Sequence, residues 1–128
     1  MVAWAEYKAQ AKSRGALALE LFVAHSTPVG APEDVKAALP DHLAYQAELE
    51  RAGSLAFAGP MSDETGQEMQ GMGLIIYRAD SLEAARALAE GDPMHKTGAR
   101  NYVLRRWMIN EGSLTGQVGP STGGTVLR

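Results

Sequence analysis

Apolar and polar positions recur with two different periods along the chain, and each change of period marks an element. Residues 3–14 place Trp4, Tyr7 and Ala11 on one stripe at helical spacing, and Gly15 is a natural stop. From Leu17 to Ser26 the period shortens. Leu19, Leu21 and Val23 alternate with Glu20 and Phe22, a run dense enough to predict a largely buried strand. The prolines and glycine of residues 27–32 predict a loop. Helical spacing returns from Glu33 to Arg51 and ends at Gly53, with Pro40 predicting a restart or a kink. Leu55 to Ala58 predicts a short strand closed by Gly59-Pro60, followed by a polar loop over 61–70. Gly71 to Arg78 reads as a strand centred on Leu74-Ile75-Ile76-Tyr77. Asp80 or Ser81 caps a helix striped by Leu82, Ala85, Leu88 and Ala89, which Gly91-Asp92-Pro93 stops. Tyr102 to Met108 is the last strand.

The order strand, helix, strand, strand, helix, strand predicts an α+β, ferredoxin-like βαββαβ domain with an antiparallel four-stranded sheet over residues 16–110. Residues 1–15 form an N-terminal helical extension. Residues 111–128 hold five of the 14 glycines, so they read as a Gly-rich C-terminal tail, flexible alone but able to lie across a partner. Two helices on one face of a sheet leave the other face bare. Phe22, Ile75, Tyr77 and Trp107 are its apolar candidates, and a homodimer is expected to cover it.

Composition narrows the function. Twelve Lys+Arg against 15 Asp+Glu give a net charge of −3 and no basic face, so no nucleic-acid partner is expected. The absence of cysteine excludes a disulfide frame, a zinc-thiolate site and a thiolate nucleophile. Glu20 interrupts the apolar run after Lys12 and Arg14, and no stretch reaches the roughly 20 apolar residues of a membrane span. A cytoplasmic protein without a membrane partner is expected. Gly71-Met72-Gly73 precedes a strand instead of following one, and Thr125-Val126 stands where a phosphate loop needs Lys-Ser/Thr. Neither motif survives, Gly119-Pro120-Ser121-Thr122-Gly123 has no helix after it to make a nucleophile elbow, and no His-Glu-x-x-His sequence exists.

Three histidines remain for proton transfer: His25, His42 and His95. His25 reads as a polar residue at a strand end and His95 as an exposed loop residue. His42 lies on a helix with Asp41 beside it and Tyr45 and Leu49 on its face, where an ordinary exposed histidine is the competing reading. Asp92, before a proline, reads as a turn residue facing the unfavourable negative end of a helix. No histidine pair has local ligand spacing, so neither a metal nor a cofactor is expected.

The motifs Pro40-Asp41-His42-Leu43, Gly53-Ser54-Leu55-Ala56-Phe57-Ala58-Gly59-Pro60-Met61, Leu82-Glu83-Ala84-Ala85 and Asp92-Pro93 occur in this order. Together they resemble the YciI-like (YCII-related) family over roughly residues 18–109. The resemblance implies a dimeric α/β barrel and a catalytic pair, His42 and Asp92. Gly59, Pro60, Met61, Tyr45 and His25 are then expected to line the pocket. It implies a small enzyme doing His/Asp-assisted proton transfer, an isomerisation or elimination, on a small cyclic organic molecule. The alternative is a non-catalytic small-molecule-binding dimer using the same cleft. A third reading makes the tail the working part of a partner-binding module. Geometry adds a condition: the two residues meet within one chain only if residues 33–39 are already helical or the segment after Asp92 folds back.

Overall fold

The computed structural model describes residues 1–127. Its elements run α1 (Trp4–Ser13), β1 (Leu19–Pro28), α2 (Pro32–Ala52), β2 (Leu55–Ser62), β3 (Met69–Tyr77), α3 (Leu82–Gly91), α4 (Pro93–Lys96), β4 (Arg100–Ile109), β5 (Gly116–Val118) and β6 (Thr125–Leu127). Four strands form an antiparallel sheet in the order β2-β3-β1-β4, the ferredoxin-like α+β arrangement.

The chain divides into two compact units. In the larger, Glu20–Trp107, β1 pairs with β3 at Phe22–Tyr77 and Ser26–Gly73, and β2 pairs with β3 at Ala58–Ile75 and Pro60–Gly73. One sheet face meets the helices. Phe22, Ala24, Ile75 and Tyr77 pack with Leu49 of α2 and with Ala85 and Ala89 of α3. Alanines on α3 let that helix lie close to the sheet, and Ser81 caps it by accepting from Ala84 N–H at 3.1 Å. A second cluster joins Ala38 of α2, Met94 of α4 and Ala99. The smaller unit, Met1–Leu19 with the chain from Met108, holds α1 and an antiparallel ladder in which β5 pairs with β6.

Several expectations are corrected. Phe22, Ile75 and Tyr77 face the helices instead of a bare sheet face, because alternation gives two faces without saying which one is covered. Trp107 stays 46% exposed. β1 runs on to Pro28 through the predicted loop, and β2 continues through Gly59-Pro60. A proline is tolerated there because β2 is an edge strand with an unpaired side. Helix α2 is continuous across Pro40. Lys36, whose carbonyl loses its partner to Pro40, is exposed, so water can replace that bond. The tail holds the β5–β6 ladder where a flexible segment is expected.

Candidate functional site

Helix α2 starts at Pro32, so His42 lies roughly 15 Å along it instead of at an end. Asp92 ends α3 and starts α4, held extended (φ −65°, ψ 124°) by the following Pro93. Its carboxylate accepts from Met94 N–H at 2.9 Å, capping α4. The expected clash with the negative end of α3 is therefore offset by the free N–H groups of α4. The chain folds back after Asp92 and brings the two residues together. His42 Nδ1 lies 2.8 Å from Asp92 Oδ1 and 2.9 Å from Oδ2.

Asp92 is 1% exposed, and the His42 side chain 15%. The competing reading of His42 as an exposed helix residue is excluded by that burial and contact. A carboxylate only accepts, so His42 carries a proton on Nδ1, and Nε2 is the ring nitrogen left for a ligand. Nε2 makes no hydrogen bond among the described residues.

His42 lines a cavity of about 750 Å³. Leu39, Leu43 and Gln46 of α2 form one wall, Gly59 and Pro60 of β2 another, and Met94, Ser26 and Arg100 complete it. The lining is chiefly apolar with a few polar groups, as small-molecule sites are. Gly59 and Pro60 thus lie on the wall, whereas His25, Tyr45 and Met61 lie outside the lining. Tyr45 instead donates to Leu88 O at 2.7 Å, tying α2 to α3. Burial and then the charge of Asp92 push its phenol above the usual range. His25 sits on the opposite sheet face, paired with Leu74, and its buried Nε2 has no partner among the described residues. A close backbone approach falls at Gly73, where a Cβ would come within 3.2 Å of Gly59 O, while a Cβ at Gly59 would meet nothing.

His95 is also corrected. It lies in α4, partly buried, with Nδ1 2.7 Å from Ala89 O and Nε2 2.9 Å from Ser26 Oγ. Burial, above all, lowers its pKa below the ordinary imidazole value. Arg100 reaches the same hydroxyl, donating through Nε at 2.8 Å. Ser26 and Arg100 are cavity residues that the sequence reading missed. They lie 74 positions apart, with no local spacing to join them. Among the described residues no cluster of three or more His, Cys, Asp or Glu side chains could hold a metal ion.

Known proteins share this framework. The chain is 29% identical over 70 residues to the uncharacterized protein YjpA of Bacillus subtilis (strain 168), covering 55% of this chain and 75% of the relative. A solved structure with a TM-score of 0.51 and 23% identity is the 5-chloro-2-hydroxyhydroquinone dehydrochlorinase (TftG) of Burkholderia phenoliruptrix AC1100, in complex with 2,5-dihydroxybenzoquinone. That match covers 68% of this chain and 92% of the other, a likeness of fold. The YCII-related domain matches residues 4–108, most of the chain, and this protein belongs to that family.

Proposed function

We propose that this protein is a small enzyme that moves a proton on a small cyclic organic substrate, isomerising it or eliminating a group from it. The observation that carries the reading is the contact of His42 Nδ1 with both oxygens of the buried Asp92, on a ring that lines the cavity. His42 Nε2 is the general base. It takes a proton from a C–H or O–H of the substrate, and the released electron pair shifts within the ring or expels a leaving group. Asp92 fixes the tautomer and stabilises the imidazolium that forms, and the proton can return from Nε2 at a later step. Such assistance contributes about 10²- to 10⁴-fold in rate. The apolar wall of Leu39, Leu43 and Pro60 suits a ring, and a dehydrochlorinase on a similar fold supports ring chemistry.

The same reading includes a homodimer. Phe57 (51% exposed), Val103 (53%) and Trp107 form apolar surface on the sheet face away from α2 and α3, which a second copy would cover.

The test is anaerobic release of chloride from 5-chloro-2-hydroxyhydroquinone, with exchange of ring protons of 2-hydroxyhydroquinone into deuterated water. The protein accelerates one or both, and His42→Gln loses about 10²- to 10⁴-fold. Equal rates for wild type and His42→Gln refute the base. Binding without acceleration of either reaction assigns the cleft to binding alone.

A further inference from the structure

We propose that Arg100 is an anion-binding subsite of this cavity, so that the ligand is a planar organic anion, a ring bearing a carboxylate or an ionised hydroxyl. The proposal rests on the reading of the cavity as a small-molecule site and deepens it by fixing the charge of what enters.

Arg100 opens β4 and lines the cavity. Two of its nitrogens are tied to the wall. Nε donates to Ser26 Oγ and Nη2 to Ser26 O, each at 2.8 Å, and Nη2 also donates to Gly71 O. Nη1 makes no hydrogen bond among the described residues, and no carboxylate there lies within ion-pair distance of the guanidinium. Asp92 acts on it only through space, its own oxygens being taken by His42 and Met94 N–H. A half-buried cation held only by neutral acceptors is poorly compensated, and a bound anion supplies what is missing. Burial, above all, opposes the charge on Arg100, and the nearby charge of Asp92 offsets this in part.

The group is also held in place before any ligand arrives. Ala89 O only accepts, so His95 carries its proton on Nδ1 and Nε2 is an acceptor. Ser26 therefore donates its hydroxyl hydrogen to His95 Nε2, which leaves its oxygen free to accept from Arg100 Nε–H. Each bond sets the direction of the next, from Ala89 to the guanidinium. Ser26 is 2% exposed, so water does not compete there. A preorganised fork with one free arm spends little ordering on binding. It also suits the chemistry of His42, because the negative charge left when Nε2 takes a proton is stabilised by a fixed cation on the same cavity.

The test compares benzoate with benzamide, which share a shape and differ in charge, by calorimetric titration of the full chain. Wild type binds benzoate about tenfold or more tighter than benzamide, with affinity falling as salt rises. Arg100→Gln weakens benzoate by about tenfold to a hundredfold and leaves benzamide within about twofold. Arg100→Lys keeps the charge without the fork and recovers part of the loss. The proposal is overturned if wild type binds the two equally or binds neither, or if Arg100→Gln weakens both alike. The wild-type comparison needs no variant, so it decides even if Arg100→Gln misfolds. Failure of the base reading is seen separately, as unchanged proton exchange in His42→Gln, while the benzoate preference persists.

Discussion

Removing Asp92 and His42 singly and together isolates the contact on which the site depends. The carboxylate is 1% exposed and receives Nδ1–H on both oxygens, at 2.8 and 2.9 Å. A charge-assisted hydrogen bond contributes about 1.5–3 kcal/mol, and burial on both sides places this one within that range instead of near an exposed pair. Asp92→Ala also loses the cap of α4, about 1 kcal/mol more. Its total cost is then about 2.5–4 kcal/mol, a fall in Tm of roughly 8–20 °C for a chain of this size. Asp92→Asn separates the two effects, since Asn caps as well as Asp but carries no charge. Urea unfolding of the four proteins, read by far-ultraviolet circular dichroism, gives the coupling energy directly. A coupling of about 1.5–3 kcal/mol is expected. A value below about 0.5 kcal/mol would mean the pair contributes no more than a solvent-exposed one, and the reasoning would fail.

Three other outcomes follow from the same geometry. A Cβ on Gly91 would come within 2.7 Å of the Tyr45 hydroxyl, which is held on Leu88 O, so Gly91→Ala destabilises by about 1 kcal/mol despite the better helix residue. Urea unfolding detects this, and Tyr45→Phe in the same chain relieves most of it. The folded-state pKa of His95 lies below its unfolded value of roughly 6.5, so the unfolded chain binds more protons between the two values. The contribution of neutral His95 is full above the unfolded value and fades as pH falls toward the folded one. His95→Asn should therefore flatten the slope of stability as pH falls below roughly 6.5, and an unchanged slope counts against it. Light scattering should give twice the chain mass for wild type and the single mass for Trp107→Glu, a monomeric wild type ruling out the proposed dimer.

Period alone reveals α1, α2, α3 and the four strands β1 to β4, but not the short α4, β5 and β6, which are too brief to show a period. It does not say which face of a strand meets the helices, and so Phe22, Ile75 and Tyr77 appear equally suited to either side. Gly59-Pro60 reads as a stop because proline cannot join a ladder on both sides, yet on edge strand β2 it needs to join only one. Asp92-Pro93 carries two signals, a helix end and a helix start. Asp at the cap and Pro in the first turn are the marks of a helix beginning, and α4 is the result. His42 and Asp92 are recoverable from family motifs, but their meeting depends on α2 starting at Pro32 and on the fold-back at α4. Ser26 and Arg100 leave no local trace, because strand ends far apart in sequence converge only in the sheet, where His95 of α4 meets them.

Nitrogen-15 NMR of the histidine rings at alkaline pH, where imidazole is neutral, tests the central claim most directly. Proton–nitrogen correlations distinguish a ring protonated on Nδ1 from one protonated on Nε2, the form that free histidine prefers. The geometry with Asp92 predicts His42 as the Nδ1–H tautomer, its Nε2 carrying a lone pair into the cavity, and Asp92→Ala should release that preference. A wild-type His42 protonated on Nε2 would leave no base facing the cavity and would contradict the account.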